Sequence, residues 1–274
     1  ASTPIEVVDM GLRGFTRKIG ILKDYNANFQ CGQCHNAANR YLTYKWLKDD
    51  KPVRPEDLQK AGVSPYATEF FKDPLESWAW FKAKGWHQGV NGTTGVHYVN
   101  GSDHPHVEIM LQSKHGQAGV TCTDCHFARK ADGKAEHQPS LVKLKVENTC
   151  MRSACHGPGS KSNWTDPGQA LYTIEAIQQE YRIRVQKMEM AAKDAQRIFM
   201  KLKAGEASLP QEVKEKLETA YEKYLSARDW YLTDLSSGFH DPEGFNRTVS
   251  VVTWELRKTN AAAQGALKKT PVKQ

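Results

Sequence analysis

Cys122-Thr-Asp-Cys125-His126 is the stretch on which the reading of this chain turns. Two thiols three positions apart, with an imidazole directly after the second, form the attachment signal for haem c. The thiols make thioethers to the porphyrin vinyl groups, and the adjacent His is placed to ligate iron from one face. The same arrangement recurs on either side. Cys31-Gly-Gln-Cys34-His35 lies upstream. Cys150-Met-Arg-Ser-Ala-Cys155-His156 lies downstream, with a longer loop between its cysteines. Such a loop can bulge away from the ring without moving the two sulfurs.

The chain has six Cys, and these three motifs use all of them. A four-thiolate zinc site or a redox dithiol would also employ paired cysteines. Neither needs a His after every second Cys. Three covalently bound haems c are therefore predicted, on Cys31, Cys34, His35, Cys122, Cys125, His126, Cys150, Cys155 and His156. They explain a core that is poor in aliphatic residues. Hydrophobic residues make up only 39% of the 274, yet there are seven Trp and ten Tyr. Aromatic side chains are expected to pack on the ring faces.

The haems also change the charge. Lys and Arg number 38 and Asp and Glu 31, a formal +7. Six propionates bring that to about +1, so the pI of 9.0 is poor evidence for a nucleic-acid partner. No apolar run reaches the ~18 residues of a membrane span, so no transmembrane segment is expected. Haem c is attached outside the cytoplasm, which predicts a periplasmic or extracellular protein. Ala1-Ser2-Thr3-Pro4 reads as a mature amino terminus or the start of a fragment.

The fold class predicted is mainly α, in two parts. Residues 1–160 form an irregular haem-binding region, rich in Gly, Pro, His and Trp. Short helices are expected at Asn39–Lys48, Pro74–Lys84 and His106–Lys114, loops at Gly89–Gly95, and no strand anywhere. Residues 161–274 form a long helical hairpin and a C-terminal helix. Asp166-Pro167 caps the first helix. Its apolar seam runs Tyr181, Val185, Met188, Ala192, Ala195, Phe199 and Leu202, ending at Gly205. Ser208-Leu-Pro210-Gln211 resembles a capping box for the second. Its seam is Val213, Leu217, Ala220, Tyr224, Ala227 and Tyr231. Asp241-Pro242-Glu243 starts the third, with Phe245, Val249, Val252 and Leu256 on one face. Such stripes fit packing within the chain or a subunit interface.

Seven His lie outside the motifs: His87, His97, His104, His106, His115, His137 and His240. Three bis-histidine haems would draw three of them. Here the sequence resembles the pentahaem, ammonia-forming cytochrome c nitrite reductases and the octahaem hydroxylamine oxidoreductases. Cys31–His35 is similar to the third haem site of the former. Asp103-His104-Pro105-His106-Val107-Glu108, Ser113-Lys114-His115-Gly116, Cys122–His126, His137, Cys150–His156 and Gly238-Phe239-His240-Asp241-Pro242-Glu243 follow in the family's order. The resemblance spans about residues 10–260 and covers the family's last three haems.

The resemblance implies that His240 is the distal ligand of the second-motif haem and His115 that of the third. His137 matches the ligand of a haem this chain does not encode. His104 matches the catalytic His, with Asp103 beside it. The usual distal ligand of the first-motif haem lies upstream, where this chain has no His. The departures are as informative. Ala37 and Ala38 stand where the reductases carry a Glu and the catalytic Tyr. Gly101 and Asp103 stand at the calcium-supporting positions, which leaves calcium a doubtful cofactor.

Three functions follow as expectations. The leading one is electron transfer through closely spaced haems, with redox partner cytochromes or neighbouring subunits in an oligomer or larger multihaem complex. The long seam at Tyr181–Leu202 would offer a surface for a neighbour. The second is one part of a nitrite reductase or hydroxylamine oxidoreductase type of enzyme, with His104 as proton donor oriented by Asp103. The third is a fragment of a longer reductase.

Overall fold

The structure is a computed structural model. It describes residues 5–12, 15–22, 27–32, 35, 46–49, 51–60, 71–99, 104–127, 134 and 142–269, and of residues 5–22 the backbone alone. The described elements run β1 (Ile5–Leu12), β2 (Phe15–Leu22), α1 (Asn28–Gly32), β3 (Leu47–Lys48), β4 (Lys51–Pro52), α2 (Pro55–Lys60), α3 (Pro74–Ala83), β5 (Trp86–His87), β6 (Gly89–Val90), β7 (His97–Tyr98), α4 (His106–Gln112), α5 (Lys114–Gln117), α6 (Cys122–His126), α7 (Val146–Thr149), α8 (Pro167–Lys203), α9 (Gln211–Leu232) and α10 (Pro242–Lys269). The chain is mainly α, as its sequence predicts.

Helices α8, α9 and α10 form the densest part. Asp166 caps α8, its carboxylate accepting from the Gly168 N–H at 2.9 Å, while Gln169 reaches back to the Asp166 N–H. Pro167 then fixes the first turn. Tyr181, Met188, Ala192, Ala195 and Phe199 of the predicted α8 seam are buried, and Val185 and Leu202 pack against the same core. Leu217, Ala220, Tyr224, Ala227 and Tyr231 of α9 and Phe245, Val249, Val252 and Leu256 of α10 complete it. Burying a large apolar side chain contributes about 1.5–3 kcal/mol. The seam at Tyr181–Leu202 is thus filled within the chain, which overturns the expectation that it serves as a surface for a neighbour.

The core continues into the motif-bearing region. Trp46 stacks on Phe81 at 4.1 Å, and Trp80 and Trp86 meet Phe81 edge-on or tilted. These aromatics pack on one another and on the helices. Buried Glu222 of α9 accepts from Lys82 Nζ at 2.7 Å and Trp78 Nε1 at 3.3 Å, which docks α3 onto the helical hairpin.

Several local expectations are corrected. β1 and β2 pair antiparallel from Ile5↔Leu22 to Leu12↔Phe15. The adjacent Val7 and Val8 interrupt the alternation that would have announced this hairpin. Within Asn39–Lys48, residues 39–45 lie outside those described. Leu47–Lys48 is a strand, paired with both β4 and β5. Asp49 turns the chain there at φ +51, a conformation Asp tolerates. Helix α4 stops at Gln112, because Ser113 is extended and its hydroxyl instead caps α5 through the Gly116 N–H at 3.0 Å. The Gly-rich stretch is a small hairpin, with β6 pairing β7 around an Asn91 turn. At the start of α9, Pro210 occupies the cap with no side-chain hydrogen bond, so the Ser208 capping box does not form. Among the described residues no helix is long and apolar enough to cross a membrane.

Candidate haem sites

The three motifs are brought together by side chains between them. Asn28 of α1 accepts at Oδ1 from the Cys122 N–H at 2.7 Å, which ties the first motif to the second. Asp124, inside the second motif, meets Arg152 of the third at 3.3 Å. Asp124 also closes a capping box with Thr121 that starts α6 on the first cysteine. The longer third loop keeps the closure of the short one. The His156 N–H reaches the Cys150 carbonyl at 3.0 Å, as the His35 N–H reaches that of Cys31 at 2.9 Å.

The cysteines are half-buried and form no disulfide among the described residues. Burial, with Cys31 beside it, pushes the Cys122 thiol up to about 12. Burial, with Cys150 adding to it, pushes Cys125 up to about 11. Burial raises Cys150 as well. Thiols held protonated in this way are poorly suited to be thiolate ligands or redox nucleophiles. No group of three or more His, Cys, Asp or Glu among the described residues is arranged to hold a metal ion directly.

The imidazoles fall into facing pairs. His126 lies 6.1 Å from His240, and His115 lies 5.9 Å from His156, between ring centres. An imidazole nitrogen binds a transition metal at about 2 Å, which puts the centres of two trans rings about 6 Å apart. Both pairs therefore fit an iron between them. His35 faces His104 at 5.8 Å and His106 at 5.3 Å, and His35 Nδ1 is 3.2 Å from His106 Nδ1. His104 itself has φ +56, a left-handed backbone uncommon outside glycine but among those His adopts more readily than most residues. His106 also lies 5.6 Å from His240. His87 and His97 stack on each other at 4.5 Å. Cys34, Asp103 and His137 lie outside the described residues.

Burial, then His104, lowers the pKa of His35. Burial, then His240, takes His106 down to about 4. Burial and His156 lower His115. Each effect favours the neutral imidazole, the form that ligates metal.

The ligand-bearing segments are anchored in turn. His156 stacks on Trp164 at 4.5 Å, and its Nδ1 meets Ser162 Oγ at 2.9 Å. Gly116 and Gly157 directly follow His115 and His156. A Cβ at either would stand 2.0 Å or less from a backbone carbonyl oxygen, of Met110 or Met151. Only glycine lets those imidazoles sit so close to the preceding turn. Lys114 pairs with Glu243, linking the His115 segment to the His240 segment. The loop before His240 holds Asp234, a buried carboxylate that accepts from Ser236 and Gly238. Burial opposes its ionisation, but His240, Ser236 and Gly238 together hold its pKa below the usual range. Asn28, Arg152, Ser162 and Asp234 carry no motif of their own and escape a reading of the sequence.

Cytochrome c-552 of Bacteroides thetaiotaomicron is 28% identical over 138 residues, 46% of this chain and 22% of the relative. The cytochrome c nitrite reductase subunit NrfA of Nitratidesulfovibrio vulgaris is 23% identical over 223 residues, 77% of this chain and 40% of its own. The solved cytochrome c nitrite reductase from Desulfovibrio desulfuricans shares the fold. Its TM-score is 0.61 over 88% of this chain and 48% of that one, at 18% identity. The chain spans less than half the length of each of these proteins. The sequence profile of cytochrome c552 matches residues 26–274, nearly all of the chain, which therefore belongs to the cytochrome c552 family of multihaem c-type cytochromes.

Proposed function

We infer that the chain carries three haems c and transfers electrons between them as part of a larger multihaem assembly. The observation that carries this reading is the pairing of His126 with His240 and His115 with His156 at near-equal separations. Haem bound at these motifs supplies a one-electron couple. The residues of the chain do the rest. Cys122, Cys125, Cys150 and Cys155 would attach the rings, and His126 and His156 would ligate the irons. His240 and His115 would supply the second ligands, which would make these haems electron carriers rather than substrate sites. Asn28, Asp124 and Arg152 hold the motifs side by side, which keeps the electron path short. Export and redox partner cytochromes or neighbouring subunits belong to this reading, because haem c is attached outside the cytoplasm and an electron path needs a donor and an acceptor.

A second reading rests on the cluster around His35. Two imidazoles, His104 and His106, lie within 6 Å of it. In an enzyme of the nitrite reductase type, His104 with Asp103 would hold and deliver protons to a substrate bound nearby. A nitrite reductase is what one relative is described as. This chain would then serve as one part of that enzyme.

EPR of the haem-loaded protein tests the ligand set. His240→Met is expected to convert one low-spin bis-histidine signal and raise one reduction potential, because a thioether favours ferrous iron. His115→Ala should remove a second such signal. Unchanged spectra for both variants refute the assignment. Turnover of nitrite or hydroxylamine by the purified chain at the rate of a dedicated reductase would favour the second reading.

A further inference from the structure

We propose that Asp234 is the positioning residue of the second-motif haem, fixing the His240 ring with Nε2 toward the iron and lowering that haem's reduction potential. The proposal rests on the assignment of His240 as an iron ligand.

Asp234 lies on the loop between α9 and α10, and its side chain is 1% exposed. Its carboxylate is held from three directions. Oδ2 accepts from Ser236 Oγ at 2.8 Å and from the Gly238 N–H at 2.9 Å, and Oδ1 accepts from the Ser236 N–H at 3.0 Å. Ser236 also fixes the ligand's own backbone, its Oγ accepting from the His240 N–H at 3.0 Å. Oδ1 stands 3.5 Å from His240 Nδ1, a buried nitrogen that makes no hydrogen bond among the described residues. The same oxygen is 4.0 Å from His106 Nε2, which accepts from the Leu235 N–H at 3.2 Å.

A buried carboxylate costs several kcal/mol unless a positive charge answers it. Among the described residues no Lys or Arg pairs with Asp234. His240 faces it instead; His106 is also near, but its Nε2 already accepts from the Leu235 N–H and has no proton to offer. A ligand His that donates its second N–H to a carboxylate has its tautomer and ring direction fixed, and it becomes a stronger base toward the metal. A negative charge beside the ligand also favours ferric over ferrous iron. The third-motif site differs, because His156 Nδ1 meets the neutral hydroxyl of Ser162 at 2.9 Å.

The test is spectropotentiometry with EPR on the haem-loaded chain carrying Asp234→Asn, with His240→Ala alongside. Asp234→Asn should keep every bis-histidine low-spin signal, raise the potential of one haem and leave the others in place. Unchanged potentials in Asp234→Asn, while His240→Ala loses one low-spin signal, overturn the role of Asp234 alone. All low-spin signals intact in His240→Ala overturn the ligand assignment beneath it. Should Asp234→Asn fail to assemble, near-infrared magnetic circular dichroism of the unaltered protein decides. A carboxylate-bonded imidazole moves the charge-transfer band of one haem to shorter wavelength than the rest, and coincident bands refute the proposal.

Discussion

Helices α8–α10 and the motif-bearing residues before them are built from different materials. The helices bury Met188, Ala195, Ala227, Val252 and Leu256 completely, and Asn260, Tyr224 and Lys223 add hydrogen bonds from helix to helix. Cys122–His126 and residues 150–156 contain no buried residue, and of the described first-motif residues only Gly32 is buried. They are joined by single polar links such as Asn28 to Cys122 and Asp124 to Arg152. The helices fold on their own apolar surface, to which Trp46, Phe81 and Trp86 also belong, whereas the attachment segments add little to that core. The contrast teaches that the helical part is the scaffold, and it predicts that the attachment segments take their order from the haem they would hold.

The strongest way to break this contrast is to withhold the haem. A chain produced without haem attachment should lose amide protection across residues 27–165 and keep it through α8–α10. Hydrogen exchange read by mass spectrometry checks this, and equal protection in the two regions would erase the distinction. A smaller effect comes from the scaffold itself. Met188 is fully buried, so Met188→Ala should cost about 2–5 kcal/mol in denaturant unfolding. The haem spectrum below the transition should stay unchanged, and a shifted spectrum would mean that the two regions are not separable. The smallest effect probes the joint. Glu222→Gln keeps the shape but removes the charge that receives Lys82 and Trp78. Lys82 is half-exposed, so the loss should be about 1 kcal/mol. A loss several times larger would show that α3 and the hairpin form one cooperative unit.

The two regions were also unequally legible. The α8–α10 seams could be read residue by residue, because an apolar period is a property of neighbouring positions. Attachment motifs are equally local, and His115 and His240 could be singled out through the segments that carry them. What could not be read is everything made between distant segments. Asp234 sits in Asp-Leu-Ser-Ser-Gly, which reads as an ordinary turn, and nothing in it announces a carboxylate facing His240. The proximity of His106 to His35 needs the fold, because α4 reaches the first motif through the Val107 N–H and the His35 carbonyl. Pro210 defeated the capping expectation for a local reason, since its fixed φ starts a helix without any side-chain help.

The facing pairs also set an order of assembly. Chains fold from the amino terminus as they emerge, and the two pairs lie in opposite senses along the sequence. His115 precedes the motif whose His156 it faces, so that partner is already present when Cys150 and Cys155 appear. His240 follows its partner His126 by 114 residues, with the whole helical hairpin between them. On the proposed assignment, a haem at the second motif would keep one face uncovered until α8 and α9 had folded and brought the loop that carries His240 beside it. Of these two sites the second-motif one would be sealed later, with the helical hairpin as the clasp that closes it.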